Sequence, residues 1–335
     1  MFRTARVAAG VAAILAALPL TTAQAQDKLI ISTANPPQHM ATRTMQMFAD
    51  ALVDRSGGAL EVEIFDSSQL YNARDVGKAV ARGDVGFANV PTPYLGRTVG
   101  SINVLDLPML KGMTQMERSE MLDGPLGAQL GSMLEEKMGV EVPGNWPLMG
   151  PIMYWSTKKP LTSFEEFNGM NMRIPGGAAP AALVEAMGSI AVKMPGSDMP
   201  MALQQGTVDA TMASIESVVV QNLRDVGISY GFWDRGIVGY MIPLVSADYW
   251  GSLNADQQAL FTEVWNETVD WQRQEAMALE GEYRATLEAQ GIVITDASVE
   301  DAAEMGRQMM SIQAPLVEKT GITPEVLALA QAAVE

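Results

Sequence analysis

Leu60-Glu61-Val62-Glu63-Ile64-Phe65-Asp66-Ser67-Ser68-Gln69-Leu70 reads as a strand that runs into a polar turn. Leu60, Val62 and Ile64 alternate with Glu61 and Glu63, the period of a strand with one buried face. Upstream, Leu29 to Thr33 is a short β-branched run, a first strand, which Ala34-Asn35-Pro36-Pro37 breaks. Between the two, Met45, Phe48, Ala49 and Leu52 recur at helical spacing until Gly57-Gly58. Downstream, a helix around Ala73 to Arg82 stops at Gly83, and Val85 to Val90 is a third strand. This β-α-β-α-β order predicts an α/β fold with parallel neighbours in its sheet. Ligands of such sheets sit at the carboxyl ends of the strands. Those ends are Ala34-Asn35, Asp66-Ser67-Ser68 and Asn89 to Tyr94.

A Gly/Pro-rich stretch, Pro143 to Pro151, marks a candidate crossing into a second domain. The pattern then restarts, with strands near Ile152 to Ser156 and Met170 to Ile174, a helix over Ala178 to Met187, and a strand over Ile190 to Met194. Gly206-Thr207-Val208-Asp209 leads into Ala210 to Ala213, and from Ala255 the chain reads as helical, including a long stretch from Asp256 to Gln290. There are no internal repeats.

The first 25 residues read as an export signal: Arg3 and Arg6, the apolar stretch Val7 to Leu20, then Ala23-Gln24-Ala25 as a small-x-small cleavage site. The apolar stretch is short for a membrane span, and the mature chain is expected to begin at Gln26, in the periplasm. With no cysteine, stability must come from the core, and about 310 residues are ample for that and for two domains. The formal net charge is −17. Such a surface disfavours nucleic acid and repels free anions at long range, so any anion must be held by a local positive site. The 24 methionines read mainly as adaptable core filler.

His39 is the only histidine, which excludes HExxH and two-His metal sites. No cofactor or metal motif is present. Gly227-Ile228-Ser229-Tyr230-Gly231 matches G-x-S-x-G, but a nucleophile elbow needs a helix after the serine and a histidine further on; Gly231-Phe232-Trp233-Asp234 does not start a helix. The match reads as chance.

One charge stands out. Met170-Asn171-Met172-Arg173-Ile174 puts Arg173 inside an otherwise apolar strand. Arginine is rarely buried alone, and its planar fork matches a carboxylate. Two readings stand: a ligand anion is its partner, or it is structural and pairs Glu165, Glu166 or Asp198.

From Leu29 to about residue 320 the chain resembles the DctP-type solute receptors of tripartite ATP-independent periplasmic (TRAP) transporters. Ser68-Gln69-Leu70 after a strand resembles their "p-s-s-q-L-G". Lys159-Pro160-Leu161, followed by Glu165 to Arg173, resembles "r-P-i-…-D-l-k-G-l-k-i-R". Met187-Gly188-Ser189-Ile190-Ala191-Val192 resembles "l-G-a-x-p-v", and Ala202-Leu203-Gln204-Gln205-Gly206-Thr207-Val208-Asp209 resembles "A-L-q-t-G-v-v-D-g".

The resemblance implies an α/β two-domain periplasmic solute-binding fold, with an interdomain cleft, crossing strands and a long C-terminal helix. Domain I would be 26–150 plus about 239–278, and domain II 151–238 plus about 279–335. The implied function is that of a non-catalytic receptor, a monomer that closes on a small organic anion (a carboxylate or a sulfonate) and delivers it to the membrane permease subunits. A sensor presenting its closed form to a membrane kinase, and an exported hydrolase using Glu165 or Asp209, are the other readings. Arg173 corresponds to the family arginine that grips a ligand carboxylate. Asn35, Asn89, Thr92 and Tyr94 would meet the ligand from domain I, and Met153, Trp155, Met212 and Ala213 would wall the pocket from domain II. A second arginine of many members falls on Met153; Arg235 is either its substitute or a surface partner of Asp234. The usual "D-g-x-E-x-P" is here Asp209-Ala210-Thr211-Met212-Ala213-Ser214, so the pocket is expected to be more apolar than one for sugar acids. His39 lies at the cleft entrance or at a surface helix start.

Overall fold

The computed structural model describes residues 28–334; the expected export signal lies outside them. Ten strands form the sheets: β1 Leu29–Ser32, β2 Val62–Phe65, β3 Phe87–Pro91, β4 Val140–Glu141, β5 Leu148–Ser156, β6 Asn171–Ile174, β7 Ile190–Lys193, β8 Ala210–Ser214, β9 Tyr230–Ser246 and β10 Val293–Asp296. β1 pairs in parallel with β2 and β3, as the leading β-α-β-α-β pattern requires. The path β2-β1-β3-β9-β5-β8-β6-β7 runs through the whole molecule. β9 is the shared member. Its Met241–Val245 segment pairs antiparallel with β3, and its Tyr230 to Tyr240 segment pairs with β5. The molecule is therefore two α/β lobes joined by long strands.

The 17 residues of β9 carry no clean alternation, because almost every position is buried and three are glycine. The glycines have a packing reason. A Cβ on Gly231 would lie 2.5 Å from the Trp155 ring, and one on Gly239 would lie 2.8 Å from the Ile152 side chain. Those two positions let β5 and β9 lie flat on each other where they cross between lobes, and the β5–β9 register shifts twice there.

In the first lobe, Phe48, Phe87, Phe261 and Trp265 meet edge to face, with ring centroids 4.7–5.4 Å apart. Phe48 comes from the Met40–Arg55 helix, and Phe261 and Trp265 from the Ala255–Ala289 helix. The latter is 35 residues long and packs on both lobes: on Met40–Arg55 in one and on Ile215–Val220 in the other. The second lobe buries Tyr154, Phe167, Met172, Ile174 and Phe232 on one side of its sheet. Trp155, Met199, Leu203 and Leu287 fill the other. The helices Gln115–Asp123, Pro125–Met138, Val299–Thr320 and Pro324–Ala332 complete the cover. No described helix is long and apolar enough to cross a membrane.

Candidate ligand-binding cleft

The carboxyl ends of strands from both lobes converge on one cavity of about 340 Å³. β1 delivers Asn35, β2 Ser67 and Ser68, and β3 Asn89 and Thr92. From the second lobe β6 delivers Arg173, β7 Pro195 and Gly196, and β8 Met212 and Ala213. Six prolines (36, 91, 93, 175, 180 and 195) line it; with φ fixed, they make stiff walls. Met149, Met199, Met212 and Met241 add an adaptable apolar surface.

Arg173 is 4% exposed. Its Nε and NH2 donate to the Met194 carbonyl at 3.2 and 3.0 Å, and its NH1 donates to the Met212 carbonyl at 3.0 Å. Five N–H groups less these three leave one on each terminal nitrogen. No carboxylate forms an ion pair with it among the described residues. Glu165 is exposed, Glu166 caps Thr162 and Ser163, and Asp198 acts only through its field. Burial pushes the guanidinium pKa down, with Tyr94 and Asp198 acting the other way. Tyr94 belongs to the first lobe. Its hydroxyl lies on the other side of the cleft within electrostatic reach of Arg173; burial pushes the tyrosine pKa up, and the Arg173 charge opposes that shift.

Direct bridges hold the lobes together. The Asn103 Oδ1 accepts from the Ala179 N–H at 3.2 Å. The Glu216 Oε1 accepts from the Met40 N–H at 2.5 Å. Lys111 and Asp234 form a buried pair at 2.5 Å, with side chains 4% and 2% exposed.

Of the residues singled out from the sequence, Asn35, Asn89, Thr92, Tyr94, Arg173, Met212 and Ala213 share this cavity. Three do not. Met153 and Trp155 point away because strand parity gives the cavity side to Ile152; they pack in the core behind Ala213, whose carbonyl accepts from the Trp155 Nε1 at 3.0 Å. Arg235 is neither a pocket cation nor a partner of Asp234. It stacks over Trp233 at 4.4 Å from the ring centroid and donates to the Ala297 carbonyl at 2.9 Å, while Asp234 takes Lys111. His39 caps the Met40–Arg55 helix: its Nδ1 accepts from the Ala41 N–H at 3.1 Å, 3% exposed.

Sequence reasoning missed Asp106 and Arg74. Asp106 lines the cavity; an acid inside Leu105-Asp106-Leu107-Pro108 is the same lone-charge signal that marked Arg173. Arg74 is exposed, beside the cavity residue Ala73, and its charge reaches both Arg173 and Tyr94. Asp209 and Glu165, the candidate bases of a hydrolase, do not line the cavity. Asp209 instead pairs with Lys158 and accepts from the Asn171 N–H. Ser229 sits in the turn before β9 rather than between a strand and a helix. No described group of acidic or histidine side chains is arranged to hold a metal.

Two α/β lobes, crossing strands, a long helix packed on both lobes and a cavity between strand ends define a solute-binding protein of the two-domain class. The chain belongs to the DctP family, bacterial extracellular solute-binding protein family 7, whose model matches residues 31–320; its members are periplasmic, and family and fold are those of binding receptors. It is 28% identical to the C4-dicarboxylate-binding periplasmic protein DctP of Rhodobacter capsulatus over 218 residues, 64% of each chain. It is 24% identical to the protein of that name from Shewanella loihica over 294 residues, 87% of this chain and 84% of that one. The sugar acid binding protein DctPAm of Advenella mimigardefordensis, solved with galactonate, superposes with a TM-score of 0.85 at 18% identity, covering 92% of this chain and 99% of that one.

Proposed function

We propose that this protein is the extracytoplasmic receptor of a TRAP transporter, binding a small organic anion with its carboxylate on Arg173 and delivering it to membrane permease subunits. The carrying observation is an arginine, 4% exposed, with unsatisfied N–H groups at a cavity and no acid of the protein paired to it. At a buried guanidinium such a charge-assisted bond is strong. Tyr94 supports the same reading: it lines the cavity from the other lobe, within the field of Arg173, and its O–H can donate to a ligand oxygen. The names of the relatives point to carboxylates as well.

The reading assigns no catalytic residue, and the receptor acts as a monomer. The cleft walls are then domain I, 26–150 with about 239–278, and domain II, 151–238 with about 279–335, hinged where β5 and β9 cross. The ligand drives closure through contacts that exist only in the closed form. Titration calorimetry with small carboxylates tests this. Arg173→Ala should weaken binding by about a hundredfold or more, the loss expected when one partner of a buried charge pair is removed. Unchanged affinity in that variant overturns the assignment.

A further inference from the structure

The two charged residues that line the cavity come from different lobes, and the division selects a ligand. The second lobe contributes the donor, Arg173. The first lobe contributes acceptors that have nothing to accept. Asp106, at the end of the Gly100–Asp106 turn, lines the cavity, and no described residue makes a hydrogen bond or ion pair with its carboxylate. Arg118 acts on it only through its field; its NH1 goes to the Leu105 carbonyl and its NH2 to the carbonyls of Leu110 and Gly236, at 2.5–3.1 Å, and its Nε has no partner among the described residues. Asn89 repeats the pattern: its Oδ1 is buried without a partner, and its Nδ2 meets only the Met45 sulfur at 3.8 Å.

We infer that the cavity recognises a zwitterion, a carboxylate that also carries a protonated nitrogen, with the carboxylate on Arg173 and the ammonium on Asp106. This rests on the receptor reading above and narrows its ligand class. The charge arithmetic favours it. A cationic site and an anionic site in one cavity are both neutralised by a ligand of opposite polarity along its length. A dicarboxylate would satisfy Arg173 and place its second charge in a cavity that already holds an unpaired acid, and like charges so confined repel strongly. Burial raises the Asp106 pKa to about 6, and the Arg118 charge offsets that only in part. The molecule's surface agrees: a net charge of −17 slows the approach of a dianion and leaves a neutral zwitterion unhindered.

The test uses the wild-type protein and a series matched in length: butyrate, γ-hydroxybutyrate, succinate and γ-aminobutyrate, with their longer homologues, by calorimetry at neutral pH. The amino member should bind about tenfold or more tighter than its hydroxy and dicarboxylate counterparts. Asp106→Asn should erase that preference, weakening the amino ligand about tenfold while leaving succinate and its homologues unchanged or tighter. Preference for a hydroxy acid or dicarboxylate in the wild type, or an equal loss for every ligand in Asp106→Asn, overturns the zwitterion and leaves the receptor reading standing. Binding that survives Arg173→Ala, or no binding by any member, removes both.

Discussion

Arg173 and Arg273 are both buried arginines held partly by main-chain carbonyls, and they do opposite jobs. Arg273, on the long helix, donates from Nε and NH2 to the Trp146 carbonyl, and from NH1 and NH2 to the two oxygens of Asp123 at 2.6 and 2.8 Å. Four of its five N–H groups are engaged, one face by an acid, and it does not line the ligand cavity. Arg173 has the same kind of carbonyl anchors, which fix its fork, but the place of the acid is open space. Burial does not distinguish a binding arginine from a structural one. The residual donors, and whether they face a cavity, do.

The contrast breaks if the two alanine variants behave alike. Arg173→Ala should lose ligand by about a hundredfold or more and keep the melting temperature of the empty protein nearly unchanged. Arg273→Ala should do the reverse. Removing it strands a carboxylate one-third exposed, for a cost of about 2 kcal/mol and several degrees of melting temperature, with affinity little changed. A large stability loss in Arg173→Ala would mean that it, too, is a structural cross-link.

Asp106 sharpens the contrast from the other side, as an acid held open for a ligand at the expense of stability. Its folded pKa is raised to about 6, against an ordinary value near 3.9. The folded state therefore holds the proton more tightly, and stability is lost as pH rises through about 6. At pH 7.5 Asp106→Asn should stabilise the empty protein by about 2 kcal/mol, a gain that fades as pH falls toward 4. A melting-temperature difference that is flat over this range would show that the carboxylate is solvated after all.

Tyr94→Phe has a smaller expected effect. It deletes one hydroxyl of the cavity wall beside Arg173, whose bond to the ligand is worth about 1 kcal/mol, so affinity should fall about fivefold. Scattering profiles of ligand-free and loaded protein should show the loss as weaker closure, with the fold intact. Unchanged affinity and closure would show that the arginine is oriented by its carbonyl anchors alone.

Much of this was legible in the chain. The β-α-β-α-β opening follows from alternation and glycine stops, because its strands have one wet or half-wet face. Arg173 was legible as a lone charge in an apolar strand. β9 was not, because a strand buried along its length and paired with both lobes shows no period, and its glycines read as turns until their contact with Trp155 and Ile152 is seen. Met153 and Trp155 were misplaced by one residue of parity, which sequence spacing cannot fix without knowing which face is wet. Arg235 was misread because its acidic neighbour in sequence, Asp234, has a distant partner in Lys111, and pairing at that range leaves no local trace.

The weakest expected effect concerns His39, where a nearby acid again invites a false pairing. Its Nδ1 lies 3.5 Å from the Glu216 carboxylate, but that nitrogen already accepts from the Ala41 N–H. It therefore carries no proton; the neutral ring holds its proton on Nε2, which is buried without a partner. Burial lowers the His39 pKa, and the Glu216 charge opposes that shift without reversing it. The unfolded chain thus binds the extra proton more readily, so stability is full above about pH 6.5 and declines as the medium is acidified below it. Protonating Nδ1 would also end its acceptance from Ala41, a helix cap worth about 1 kcal/mol. His39→Asn keeps a capping oxygen and removes the titration. Its melting temperature should therefore fall less steeply than that of the wild type between pH 7 and 5. Parallel curves would mean that His39 and Glu216 already share a proton as an ion pair, and that one more buried charge in this protein is satisfied by the chain itself.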